Sequence, residues 1–326
     1  MSDQETAEFL ATVPLLAGLE AAYLAELARA MRQRTVREGE LLWRQGDTAK
    51  EMLFVVEGGV SVSQQLPGDR AVQMAEVRRG DTLGEIALLD GGENTMSARV
   101  TETATLLVLG RTDFAALIAR HHPSAFALKR RLAALTTERL RVLVGLLALS
   151  LSPGGEAVGT AGHDEVRPLA EPEYCGAPDS KYIRRMATFR EFDPLALWGF
   201  LTAGRYARCA PRRTLIAEGA QSPACYLTIN GAVEKVLVRG DRRIRVALAG
   251  PGTAFGYESL IDGGGSPFTA ISRERALLLV LPREPFERLF HGEDAGSRVF
   301  LDVLQRDLVT SLRQTLRPHA RLAASV

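Results

Sequence analysis

Cysteine is scarce in this 326-residue chain: Cys175, Cys209 and Cys225 are the only three, with no C-x-x-C spacing. An odd, scattered set argues against a disulfide framework and a zinc knuckle, and reads Cys209 and Cys225 as small core residues. Charge of one sign is also lacking, since 40 basic residues meet 39 acidic ones. No global field therefore draws the chain to nucleic acid or an anionic membrane, which leaves room only for a local basic patch. Long apolar runs are missing too. The longest, VLVGLLALSLS at 142–152, is too short to span a bilayer, and the acidic opening MSDQETAEFLATVPLL lacks the regions of a signal peptide. The expected location is the cytoplasm. Catalytic spacing is absent as well. His121, His122, His163, His291 and His319 form no H-E-x-x-H or nucleophile-base pattern, and no G-x-x-x-x-G-K-[ST] occurs, so no enzyme is expected and no metal site is assigned.

What the chain does contain is itself, twice. GEIALLDGGENTMSA at 84–98 and GYESLIDGGGSPFTA at 256–270 are glycine-led, apolar segments with Asp-Gly-Gly, closing on a small hydroxyl residue and alanine. Laying Gly84 on Gly256 puts Val108 on Val280 and Phe114 on Phe286 without a gap. Upstream, LFVVEGGVSV (53–62) pairs with YLTINGAVEK (226–235), and downstream Phe126 falls on Phe300, with one or two residues of slack. Self-similarity of this kind marks two copies of one structural unit, each about 130 residues long. Residues 151–180, rich in Gly, Pro and small or acidic residues without an apolar period, read as a flexible linker. The expected organisation is a first domain over 1–150 ending in a long helix, the linker over 151–180, and a second domain over 181–326 ending likewise.

Within each copy, EMLFVVEGGVSVSQQL and ACYLTINGAVEKVLV are β-type runs broken at glycine, with Asn-Gly pairs suited to hairpin turns. Several short strands at this spacing predict a small barrel or roll. Each copy then closes in an amphipathic helix, PSAFALKRRLAALTTERLRVLVGLLAL in the first and VFLDVLQRDLVTSLRQTL in the second. The fold class is mainly β with flanking helices: two β-roll (jelly-roll) domains, each followed by a long helix.

Glycine-punctuated strands, a G-E-x-A-L cassette, a loop, a strand and a long helix, in that order, resemble the cyclic-nucleotide-binding domains of the cyclic-AMP receptor family and of kinase regulatory subunits. The first copy matches well at LLWRQGDTAKEMLFVVEGGVSV and GDTLGEIALLDGG; the second is more divergent but in register. The resemblance implies that backbone N–H groups of Glu85, Ile86 and Ala87, following Gly84, face a cyclic phosphate, as a helix N-terminus with unpaired donors can. It also implies that Glu85 accepts from a ribose hydroxyl. In the second copy, after Gly256, Tyr257 takes that place and Glu258 comes one residue late, followed by Ser259. The family's phosphate-pairing arginine precedes the closing pairs Ser97-Ala98 and Thr269-Ala270, where this chain has Met96 and Phe268. Both cassettes are thus degenerate. Arg99 is a possible substitute, but strand alternation places it on the face opposite Ala98; Met96 and Phe268 otherwise read as plugs of an emptied pocket. On the terminal helices, Thr136-Thr137 and Thr310-Ser311 match the hydroxyl pair through which the receptors read the purine.

The resemblance implies a non-enzymatic sensor of cyclic AMP, cyclic GMP or another cyclic nucleotide, signalling through protein contacts of its terminal helices. The alternative is a scaffold that keeps the fold without the ligand. Only RPHARLAASV follows the second helix, so no helix-turn-helix and no direct DNA reading are expected. The stripe Leu128, Leu132, Leu135, Val142 and Leu146 predicts a homodimer seam or another protein partner. RRMAT at 184–188 has the form of a kinase pseudosubstrate, yet reads as a solvated basic lead-in to the second domain.

Overall fold

The computed structural model describes residues 1–65, 71–150, 173–190, 192–239 and 242–324. The chain divides into two compact units, built around Met1–Leu135 and Thr136–Leu322. In the first, α1 (Asp3–Thr12) starts at a capping box: Ser2 accepts from the Glu5 amide while the Glu5 carboxylate accepts from the Ser2 amide. Two orphan donors are satisfied at once, which pins the helix start. After α2 (Ala21–Arg29) come β1 (Met31–Val36), β2 (Leu41–Trp43), β3 (Glu51–Gln65), β4 (Ala71–Val77) and β5 (Thr82–Leu83). The short α3 (Glu85–Asp90) is next, then β6 (Ser97–Gly110), α4 (Arg111–Ala119) and the long α5 (Pro123–Ser150).

The six strands form one antiparallel sheet in the order β1-β6-β3-β4, with β2 on β6 and β5 on β3. Alternation along β3 and β6 separates two cores. Leu53, Val55, Leu106 and Val108 fill the inside of the roll, whereas Met52, Phe54, Leu107 and Leu109 pack against Phe9, Leu27, Phe114, Leu128 and Leu132 of the helices.

The second unit takes in the later part of α5, then β7 (Glu173–Cys175), α6 (Ser180–Arg184) and α7 (Pro194–Leu201). It continues with β8 (Arg205–Cys209), β9 (Thr214–Ile216), β10 (Ala224–Asn230), β11 (Val233–Arg239), β12 (Arg242–Ala249) and β13 (Ala254–Phe255). Next are α8 (Glu258–Asp262), β14 (Thr269–Ser272), β15 (Ala276–Pro282), α9 (Arg283–His291) and α10 (Ala295–Ala324). Two sheets, β13-β10-β15-β8-β7 and β12-β11-β14-β9, make the roll. Its core includes Cys209, Tyr226, Val233, Phe255 and Val280. Phe300 on α10 sits 5.7 Å from Phe200 on α7 and 5.4 Å, edge-on, from Phe286 on α9, so these three helices are tied to one another by aromatic contacts.

Two sequence expectations shift. Of the expected linker, 151–172 lies outside the described residues, but Glu173–Cys175 pairs with β8 and Ser180–Arg184 is helix, so folded structure begins before 181. The stripe on α5 is also split. Leu128 and Leu132 belong to the first core, while Val142, Leu146 and Leu149 are exposed at 60, 41 and 71 %. A helix whose first turns are buried in a core and whose last turns carry exposed leucines cannot present one continuous seam. Arg184 and Arg185 of the RRMAT stretch are exposed, at the end of α6 and just beyond it.

Candidate ligand-binding cassettes

Both cassettes begin at a glycine that no other residue replaces without strain. Gly84 has φ +78°, and a side chain there would meet the Glu51 carbonyl at 2.6 Å; Gly256, also at +78°, would meet Ile216 at 2.6 Å and the Ala224 carbonyl at 2.9 Å. Positive φ and close backbone approach turn each chain sharply into its short helix.

In the first unit, Glu85 opens α3 and is 2 % exposed, Ile86 is half-buried and Ala87 lies in the same first turn. The loop beyond is pinned by backbone pairing: Gly46 donates to Asn94, Asn94 to Asp47 and Ala49 to Gly92. Met96 is half-buried, and its carbonyl accepts from Trp43 Nε1 at 3.1 Å. Ser97 Oγ accepts from the Gln45 amide at 3.0 Å, which ties the start of β6 to the turn after β2. Ala98 is fully buried while Arg99 is exposed and donates to the Gly39 carbonyl, so strand alternation turns the nearest arginine away from the interior. Thr136 and Thr137 are buried, but they group with the second unit and not with Glu85 and Ser97.

The second cassette has the same backbone and a different interior. Lys235, on β11, is 1 % exposed and donates to Asp307 Oδ2 at 3.1 Å and to Ser311 Oγ at 3.0 Å. Tyr257 OH also donates to Asp307 Oδ2. The ammonium lies 5.5 Å from the Tyr257 ring centroid and 5.1 Å from that of Phe268, both rings fully buried. Cation, carboxylate, hydroxyl and two aromatic faces therefore complete one another without any bound molecule. Burial, reinforced by the Asp307 and Glu258 charges, holds the Tyr257 hydroxyl well above its usual pKa, so it acts as a donor.

Glu258 is buried beside this network, 4.0 Å from Lys235 Nζ, and neither carboxyl oxygen accepts a hydrogen bond. Burial raises its pKa, partly opposed by Lys235. Ser259 Oγ accepts from the Ser222 amide, and Thr269 Oγ1 from the Glu218 amide. These hydroxyls brace the cassette. Thr310 is exposed and donates to the Arg306 carbonyl, because the helical step from Ser311 turns it out of the interior. The expected pair is thus divided: Ser311 joins the network and Thr310 does not.

Outside the network, Arg141 on the later part of α5 clasps the cassette's end. Its Nε and Nη2 reach the two oxygens of Asp262 at 2.5 and 2.8 Å, and Nη1 donates to the Gly265 carbonyl. Sequence reasoning does not single out Lys235, Asp307 or Arg141. A signal existed for the first two: the pairing of the two copies places Lys235 against Val62 and Asp307 against Ala133, a base and an acid arriving together at apolar positions of the other copy. Among the described residues no cluster of side chains suits a metal ion, and no helix is long and apolar enough to cross a membrane.

A glycine turn into a short helix, set in a β-roll and followed by a long helix, recurs in both units. The family profile for the cyclic nucleotide-binding domain matches residues 33–121 and 207–293, more than half of the sequence, and the chain belongs to that family, twice over. A cyclic nucleotide-gated potassium channel of Mesorhizobium japonicum is 37 % identical over 107 residues, 33 % of this chain and 28 % of the channel. The cyclic AMP receptor protein of Thermus thermophilus is 33 % identical over 128 residues, 39 % of this chain and 57 % of the receptor. The chain thus spans well under two thirds of these relatives. Among solved structures, the regulatory domain of Toxoplasma gondii PKA with cAMP is similar over 89 % of this chain and 93 % of its own, at 17 % identity and a TM-score of 0.35.

Proposed function

We propose that the chain is a non-catalytic regulatory protein in which the first domain senses a cyclic nucleotide and the second is a self-filled copy acting through its surfaces. The observation that carries this reading is the buried Lys235–Asp307–Tyr257 network. Where a ligand's anionic phosphate would need a free cation and open space, the second roll supplies a cation already neutralised and two buried rings. The first copy has Val62, Glu85 and Met96 at the corresponding positions, and its Glu85 stands at the helix start where a ribose hydroxyl would be met. Without the cassette arginine, affinity is lower by the worth of a charge-assisted contact, about one to two decades.

The relatives include channels, receptors and kinase regulatory subunits, which supports a signalling role through a protein partner. The exposed turns of α5 at Val142, Leu146 and Leu149 are the surface we assign to self-association.

Isothermal calorimetry with cyclic AMP and cyclic GMP tests the reading. Binding of no more than one nucleotide per chain, lost in Glu85→Ala and kept in Ser311→Ala, is expected. Two sites per chain would overturn it, and no binding up to millimolar nucleotide would leave the scaffold role instead.

A further inference from the structure

On the second unit, away from the cassette, β7, α6, α7 and the start of β8 flank a half-open cavity of about 450 Å3. Its walls include Tyr174, Ile183, Trp198, Leu201 and Tyr206, and its charged residue is Arg205. Among the described residues no carboxylate lines it. Arg205 is exposed, stacks with its guanidinium carbon 3.7 Å from the Tyr174 ring centroid, and has no ion-pair partner among the described residues. Stacking fixes the plane of the guanidinium while leaving its N–H edge free, the arrangement that presents a fork of donors to an oxyanion. Tyr206 is spent otherwise: it is buried, donates to the Leu201 carbonyl, and burial pushes its hydroxyl pKa up to about 12. Trp198 is 55 % exposed, a large flat apolar face at the rim.

We propose that this cavity is a binding site for a small anionic molecule with a flat aromatic body, its carboxylate or phosphate on Arg205 and its ring against Trp198. The volume falls in the range of small-ligand sites, and the lining has their usual character, mostly apolar with few convergent polar groups. One cation without an ion-pair partner, in a cavity with no acid among its described lining residues, selects the sign of the ligand. The site is independent of the nucleotide reading, because it shares no residue with either cassette.

Calorimetry of the full chain with 2-naphthoate and its neutral isostere 2-naphthamide tests the proposal. The carboxylate is expected to bind saturably at one per chain and more tightly than the amide. Arg205→Gln, which removes an exposed side chain with no ion pair, should weaken naphthoate about tenfold or more and leave naphthamide unchanged. Trp198→Ala should weaken both. Failure of naphthoate to saturate below about 1 mM, or equal naphthoate affinity in Arg205→Gln and the unmodified chain, would overturn the site.

Discussion

The two copies share a backbone and part company inside it. At five corresponding positions the first has Val62, Glu85, Met96, Ala133 and Thr137, and the second Lys235, Tyr257, Phe268, Asp307 and Ser311. Both lack the cassette arginine, but the two interiors answer that loss differently. In the second, Lys235 is held by Asp307 and Ser311 with two buried rings beside it, whereas Met96 in the first is only half-buried. A pocket that loses its cation can thus be closed by a compensating ion pair or left dependent on whatever binds it. Glycine geometry alone, identical at Gly84 and Gly256, does not reveal which.

The largest expected effect comes from breaking the internal pair. Lys235→Met or Asp307→Leu alone leaves a buried charge uncompensated and should cost about 3–5 kcal/mol in denaturant unfolding. The double variant should recover part of that, since an apolar pair substitutes for the ion pair but leaves the Tyr257 hydroxyl without its acceptor and Glu258 without its neighbouring cation. A cost in the double variant equal to the sum of the two single costs would mean that the two side chains do not act as a pair.

Restoring the missing cation sharpens the comparison. Met96→Arg should raise cyclic-nucleotide affinity by about one to two decades by calorimetry. Phe268→Arg should add no binding and should destabilise, because its guanidinium would enter a fully buried position beside Lys235.

Glu258 separates the copies by pH. Its folded pKa lies above the unfolded value, so the folded state binds more protons between the two. Stability is then greatest below the usual carboxylate range and declines as pH rises toward the folded pKa. Glu258→Gln should flatten that decline in thermal melts taken across acidic to neutral pH; an unchanged slope would assign it to other groups.

Smaller effects belong to the surface. Leu146→Asp, at an exposed position, should lower the mass of any dimer in light scattering without lowering Tm, whereas Leu132→Asp would disrupt the first core. Arg141→Gln should cost less than about 1 kcal/mol, because the Arg141–Asp262 pair keeps a quarter of its side-chain surface in solvent.

Much of the fold was legible without coordinates. Short β-type runs broken at glycine, such as LFVVEGGVSV, the helical period after Phe126 and Phe300, and glycine at each sharp turn are local demands, so two rolls with terminal helices arise from the chain itself. The absence of a cassette arginine was legible for the same reason, as a residue type at a position. The outward direction of Arg99 came from alternation.

The interior of the second roll was not legible. Lys235 and Asp307 are 72 residues apart, on a strand and a helix, and each alone reads as a solvated charge. Residues Lys235, Val236 and Leu237 are all buried, with a register shift against β12 at Lys235/Val236, which breaks the alternation that a sequence reading relies on. Composition and spacing therefore determined that there are two cassettes and that neither carries the phosphate arginine. Only the tertiary structure decided that Lys235 and Asp307 meet inside one of them, because burying a charge is tolerable only where a distant partner meets it, and that meeting exists only once the chain has folded.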